Sequence, residues 1–431
     1  MMKRAVQVAS NASRSIAQRA HRPDYRIIVL MGILMMVGLI VMYAIGPQRA
    51  KVLNNATGGS VSDTYFVIKQ MVSLCIALVA FAFFAFAPLK LVRLHSGKVV
   101  VAGLIACGLL FIFGNLLHVS AIAQCTYGAC RWFELGPLGS FQPAELLKFG
   151  ILIFLARFLA ERISAGKVND WQETVWPLIL ITGISMLIVI VLQRDMGTGI
   201  SMISIIMSML LVAGINRQVG TKLLIGLLVA GVLMIVSAPH RIERIATFFR
   251  GGESSAQAND QDYHIRHAMI AIGSGGLTGV GIGNSVQATG YLPETINDSM
   301  FAILGEMFGF LGLICLLLVI TALLVRILRV ADASLDPWMR LLVIGVFGWL
   351  TAHVILNIAS MTGLIPLTGI TLPLLSFGGT SIIFITAALG IVFQISRFTV
   401  HKSRLKEAAN AHTDRRRGIG RTRDADRRST W

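Results

Sequence analysis

The stretch IIVLMGILMMVGLIVMYAI, residues 27–45, contains no charged residue and no proline. A helix needs about 20 largely apolar residues to cross a bilayer, and this stretch supplies them. Nine more largely apolar stretches follow, several of them short or with a charge near one end, at roughly 67–87, 99–117, 145–160, 176–192, 199–214, 222–239, 300–325, 341–361 and 380–396. The expected fold is an all-α integral membrane protein of about ten transmembrane helices. The first span is long and uninterrupted, with no small-residue cleavage site after it, and reads as a retained anchor rather than a signal peptide.

Composition agrees. The 431 residues are 55% hydrophobic and 14% charged, with a mean hydropathy of +0.74. A soluble domain carries about a quarter charged residues, and one this apolar would expose aggregating patches. A cytosolic enzyme, a coiled coil and a disordered scaffold are therefore excluded. The net charge of +17 is concentrated in two tails, 1–26 and 397–431, the second expected to be disordered. Basic tails beside an apolar body suit anionic lipid headgroups. No folded basic module points to nucleic acid.

Orientation follows from the Lys and Arg bias of alternating segments. With both termini cytoplasmic, 27 basic residues fall inside and 8 outside. Four of the outward segments have unusual content: 118–144, the short 193–198 turn, a large loop at 240–299, and 362–379. Loops beyond about 15 residues are usually functional or disordered. The large loop turns glycine-rich and apolar from Ala268 to Gly283, a composition expected to pack into the membrane face of the protein.

The last outward loop runs from Gly363 to Ser381 with Pro366, Pro373, Gly369, Gly378 and Gly379 inside it. It cannot form a continuous helix, yet it is apolar enough for membrane depth. Broken backbone at that depth is tolerated only inside protein or along a cavity. Acids stand near apolar sequence on the same side: Glu134, Glu145, Asp195, Glu294, Asp298 and Glu306. Ionisable groups there are costly and point to function. Glu145 and Lys148 share a helix face, as an ion pair or as a polar wall where Lys148 meets an anionic ligand. Asp298 directly precedes an apolar run. It serves either as a helix N-cap or as a shielded carboxylate whose raised pKa suits a general base. Glu306 is expected to be buried and protonated, or paired with a cation.

The glycine run 273–283 fits neither a dinucleotide fingerprint nor a Walker motif. Close helix packing is the expected role, with a backbone cradle for a lipid pyrophosphate as the weaker one. Cys125 and Cys130, in an outward loop, form a disulfide or remain two free thiols, and both possibilities stay open. Cys75, Cys107 and Cys315 read as small apolar residues within spans. His264 and His267 have no partner ligands in the sequence and indicate no zinc site. Two function classes survive: an enzyme acting on a lipid-linked substrate at the outer membrane face, and a transporter or flippase using the same cavity. A transporter would pair broken helices in both halves, and the first half shows none.

At these residues the sequence resembles the SEDS family of peptidoglycan polymerases, which includes FtsW, RodA and SpoVE. The resemblance rests on Asn357 through Ser381, Arg131-Trp132, Gln142-Pro143-Ala144-Glu145-Leu146 and Asp195-Met196-Gly197-Thr198. It continues through Ile270 to Gly276, Tyr291-Leu292-Pro293-Glu294, Asn297-Asp298 and Gly305-Glu306. The implied activity is glycosyl transfer that polymerises lipid II and releases undecaprenyl pyrophosphate, with inversion at the anomeric carbon. The implied setting is the bacterial cytoplasmic membrane, beside a class B penicillin-binding protein and other division proteins. Asp298 matches the proposed catalytic carboxylate, which would deprotonate the acceptor 4-hydroxyl. Lys148, oriented by Glu145, and Arg131 would steady the pyrophosphate. Gln142, Asp195, Glu294, Glu306, Ser376, Gly378 and Gly379 would complete the substrate site. A divalent cation could share in the work, but no ligand cluster predicts one.

The chain departs from the family where a His-Thr-Asp-Phe run is replaced by Ile296-Asn297-Asp298-Ser299. A second acid after Glu306 is Met307, and Gln193-Arg194 replaces a Glu-Pro pair. Segments 283–287 and 369–374 resemble the division branch, FtsW, whereas 263–265 and 273–276 resemble the elongation branch, RodA. The division branch is the expected assignment.

Overall fold

Helix α1 (Tyr25–Thr57) starts at Asp24, whose side chain accepts the Arg26 N–H, and stops at left-handed Gly58. The computed structural model describes residues 22–119, 122–126, 129–134, 136, 139–216, 218–223, 225–226 and 256–399. Helices α2 (Tyr65–Phe86) and α3 (Leu89–Phe111) follow, and α3 runs into a wider π-helical turn at Ile112–Leu116. A small antiparallel sheet comes next, with strands β1 (Ala123–Thr126), β2 (Ala129–Glu134) and β3 (Ser140–Phe141) in that order. Helix α4 (Pro143–Ala165) has proline in its first turn, where no N–H is missed. Helix α5 (Trp176–Met186) lies between π-helical turns at Trp171–Val175 and Leu187–Leu192. Asp195 then caps α6 (Met196–Ala213). Helices α7 (Ala256–Ser274), α8 (Met300–Ala333), α9 (Pro337–Met361) and α10 (Gly379–Ile395) complete the described chain.

Eight of the described helical segments are long and apolar enough to cross a membrane. Helix α4 has the length, at 23 residues, but carries several charged residues. Most of the expected span at 222–239, the 240–255 part of the large loop and most of both basic tails lie outside the described residues. The first half is not free of interruptions, contrary to the expectation from sequence. Its three π-helical turns carry no cluster of prolines and glycines like that of 363–381, because such turns need only a locally shifted hydrogen-bond register.

Helices α9 and α10 sit centrally, whereas α2 and α3 present residues such as Phe83 and Phe86 outward. Without a hydrophobic drive between helices in lipid, close packing and interhelical hydrogen bonds hold the bundle. Gly390 of α10 lies against the Phe81 carbonyl of α2, where a Cβ would come within 2.5 Å of the oxygen. One turn away, the Thr386 hydroxyl donates to the Ala77 carbonyl at 3.0 Å.

The glycine run serves packing. Helix α8 kinks at Gly309, whose φ of 66° is left-handed. Gly279 meets that kink so closely that a Cβ on it would lie 2.1 Å from the Met307 carbonyl. Val280 and Gly281 donate their N–H groups to the carbonyls of Glu306 and Met307 at 2.9 and 3.1 Å. Those donors are spent, so the backbone cradle for a pyrophosphate does not form at these two residues.

Cys125 and Cys130 are joined as a disulfide across the β1–β2 hairpin, where the two residues face each other in register. The three remaining cysteines are free and lie in α2, α3 and α8, with Cys107 buried and Cys75 and Cys315 at the helix surface.

Candidate active site

Four segments between helices meet at one end of the bundle: 139–142, 193–195, 285–299 and 362–379. Asn357, one turn from the end of α9, ties two of them together. Its side-chain amide donates to the carbonyls of Asp298 and Ile370, each at 2.7 Å. The Phe377 N–H donates to the Ile296 carbonyl at 2.7 Å. Three of the four described non-glycine residues with left-handed backbone, Arg194, Glu294 and Leu374, lie in these segments. Strained backbone of this kind survives where the surroundings over-determine it, and it concentrates at functional sites.

Asp298 is 8% exposed, and its Oδ1 is buried without a hydrogen-bond partner. It does not cap α8. The cap residue is Ser299, and its side chain makes no capping bond. Burial, followed by the nearby Glu294 carboxylate, pushes the Asp298 pKa up to about 7, against a smaller opposing pull from backbone N–H groups.

The residue after Asp298 is held from a different helix. The Ser299 hydroxyl donates to the Pro293 carbonyl at 2.8 Å. Its single proton is then used, so the 2.6 Å contact with His264 Nε2 makes the imidazole the donor. Burial holds His264 at a pKa of about 4, with Glu294 opposing the shift, and the ring is neutral near pH 7. Sequence reading set His264 aside as half of an incomplete metal pair. Its i, i+3 spacing with His267 was visible, but the serine that receives it lies 35 residues away.

Glu294 is exposed and reaches Arg49 of α1 at 3.8 Å, while Asn297 donates to its other carboxyl oxygen. Arg49 is thus a cation at the site that sequence reading missed, because it lies two residues beyond Pro47 in the long first helix. Gln142 donates to Asp195 at 2.8 Å, and Asp195 also accepts from the Thr198 N–H and hydroxyl. Arg131 donates to the carbonyls of Gln193 and Arg194 at 3.4 and 2.7 Å, joining β2 to the 193–195 turn. Ser376 closes its own turn by accepting the Leu372 N–H at 2.9 Å, and Gly378 and Gly379 begin α10.

Two expected groups turn inward. Lys148 is fully buried, bonded to Glu145 at 2.7 Å and lying 4.6 Å above the Trp349 ring. The His353 ring completes the cluster, 3.4 Å from the Lys148 ammonium and 3.0 Å from the Trp349 N–H. Glu306, 1% exposed, meets no cation among the described residues. It accepts the Ser285 hydroxyl at 2.5 Å and the N–H groups of Val286 and Gln287 at 2.9 and 3.2 Å. Removing that acceptor strands three buried or half-buried donors, each costing about 1–3 kcal/mol. Glu306→Ala is expected to melt several degrees lower than Glu306→Gln, which keeps one acceptor oxygen; equal melting of the two by differential scanning fluorimetry would contradict this. No group of three or more His, Cys, Asp or Glu among the described residues is placed to hold a metal ion.

Comparison with known proteins covers nearly the whole described chain. Residues 25–401 match the cell cycle protein family of FtsW, RodA and SpoVE. Stage V sporulation protein E of Bacillus subtilis is 30% identical over 380 residues, 88% of this chain and 98% of that protein. A probable peptidoglycan glycosyltransferase FtsW of Nitrosomonas europaea is 30% identical over 378 residues, 87% and 93% of the two chains. RodA, the rod shape determining protein of Thermus thermophilus, shares the fold with a TM-score of 0.61 at 24% identity, covering 88% of this chain and 98% of that one. A chain from a peptidoglycan synthase complex that coordinates polymerization and crosslinking aligns with a TM-score of 0.65, again at 24% identity, over 87% of this chain and 98% of its own. The chain belongs to the FtsW/RodA/SpoVE family, the SEDS proteins.

Proposed function

We propose that this protein is a peptidoglycan glycosyltransferase that polymerises lipid II at the outer face of the cytoplasmic membrane, with Asp298 as general base. The observation that carries the base assignment is a buried carboxylate with an unpartnered oxygen and a pKa near 7. Such a group is deprotonated often enough to accept a proton and basic enough to take one from a sugar hydroxyl. Asp298 accepts the 4-hydroxyl proton of the acceptor sugar as that oxygen bonds to the donor's anomeric carbon. The bond from that carbon to the pyrophosphate breaks on the opposite face, which inverts the configuration. Arg49, beside Glu294, and Arg131, bonded to the 193–195 turn, are cations suited to the departing pyrophosphate. Lys148 is buried against Glu145 and supports the helix that carries Asn357.

The partner reading is a class B penicillin-binding protein that crosslinks the new strand, and the role reading is septal synthesis. The FtsW-named relatives favour division. The deciding experiment reconstitutes wild type and Asp298→Ala with the cognate transpeptidase and lipid II. Strands from wild type and none from a folded variant are expected. Equal strands from both would remove Asp298 from the chemistry. Movement of lipid II across vesicles with no strand from either protein would replace the enzyme by a flippase.

A further inference from the structure

Three rings with polar handles line up beside the Asp298 turn. Tyr263 and His267, one turn apart on α7, have ring centroids 4.1 Å apart. His267 continues to Tyr291, 6.1 Å away, with the two planes 10° from parallel. Both tyrosines are open, at 43% and 53% exposure. The row adjoins the candidate base from two directions. Residue 264, next to Tyr263, bonds Ser299, and Tyr291 stands two residues before Pro293, which accepts the same Ser299 hydroxyl.

The row is also held in place. His267 Nδ1 bonds the Gln287 side-chain oxygen at 2.8 Å. The Gln287 N–H is in turn one of the donors fixed by the buried Glu306 carboxylate. A chain of contacts therefore runs from inside α8 to an exposed ring. Asp262 and Arg266, on either side of Tyr263, neutralise each other at 3.1 Å. With the Tyr263 and His267 planes tilted by 39°, the surface is a shallow aromatic trough, uncharged in sum and rimmed by hydrogen-bonding groups.

We infer that Tyr263, His267 and Tyr291 form a sugar-stacking subsite that holds the growing glycan strand next to Asp298. This rests on the polymerase reading above and names the substrate face of that site. Sugar rings present C–H faces to aromatic faces and hydroxyls to the rim, and such stacking favours no single sugar in the strand. A polymerase needs that tolerance, because each added unit shifts the strand along the same surface. Tyrosine and histidine offer contact area at little loss of side-chain freedom.

The test uses the full-length protein with its transpeptidase and compares Tyr263→Ala/Tyr291→Ala with Tyr263→Phe/Tyr291→Phe. Chitotetraose binding is measured by saturation-transfer NMR, strand length by gel, and Asp298→Ala is assayed in parallel. The alanine pair is expected to weaken chitotetraose binding on the order of tenfold, about 1.4 kcal/mol. It should also shorten the strands several-fold. The phenylalanine pair should bind within about threefold of wild type, because the ring faces remain. Wild-type binding and strand length in a folded alanine pair would overturn the subsite, whereas an active Asp298→Ala would overturn the base. Loss of transpeptidase co-purification with sugar binding intact would also overturn it, making the row a protein contact.

Discussion

Asp298→Asn is expected to lose polymerase activity while melting at a higher temperature than wild type above pH 7. The rate loss should be about 10²–10⁴-fold, the usual contribution of a positioned general base. In wild type the ionised carboxylate is the active form, and its pKa is raised to about 7. The rate, as kcat/KM, should therefore fall about tenfold per pH unit below 7 and level off above it. Glu294 is the second cause of the raised value. Glu294→Gln removes a like charge, lowers the Asp298 pKa and moves the acidic limb to lower pH. A limb that stays in place would show that Glu294 does not act on the base.

The stability half follows from the same burial. An aspartate in an unfolded chain titrates near 3.9, whereas the folded group titrates near 7. Between those values the folded state holds a proton that the unfolded state has lost. Stability therefore falls as pH rises through that window and is lowest, by a few kcal/mol at most, above 7. Asparagine does not ionise and escapes this cost. His264 works in the opposite sense: its folded value of about 4 lies below the usual 6.5, so stability is lost as pH falls from 6.5 toward 4. The two contributions offset each other in wild type across the overlap. The Asp298 part is read by comparing Asp298→Asn with wild type at each pH. The melting gap should be widest above pH 7 and close as pH falls toward 4. A gap that does not vary with pH would contradict a buried ionisable carboxylate.

Spans and packing were legible because bilayer physics writes itself into composition. Residues 27–45 could be nothing but a membrane helix, and the broken Gly363–Ser381 stretch had to lie against protein. Asp298 was legible as an acid at the edge of an apolar run. The choice between N-cap and shielded carboxylate was not, because the unpartnered Oδ1 depends on what Asn357, Ile296 and Phe377 do to the surrounding backbone. Glu306 illustrates the limit of periodicity. Sequence offered it a proton or a cation, but three donors from 285–287 reach it across the kink at Gly309. Spacing along α8 cannot show that return of the chain. His264 and Ser299 were missed for the same reason, since each looks ordinary until the fold joins them.

Lys148→Met is expected to destabilise the protein by about 3–5 kcal/mol, the cost of removing one partner from a buried ion pair. Lys148 has no exposed surface, and Glu145 is 3% exposed with its Oε2 already lacking a partner. Methionine fills the volume of the lysine stem but leaves the Glu145 carboxylate without its cation. It also removes the charge over the Trp349 ring. Glu145→Gln/Lys148→Met should regain most of the loss, because replacing both charged partners leaves no uncompensated buried charge. The rate of the double variant then separates two roles for Lys148. As a support it acts through α9, where His353 lies one turn from the Asn357 that holds the Asp298 carbonyl. Activity should then return together with the melting temperature. If Lys148 instead meets the substrate pyrophosphate, the double variant would melt near wild type and remain slow. Complete burial at the α4–α9 seam favours the first outcome, and a stable but inactive double variant would return Lys148 to the substrate.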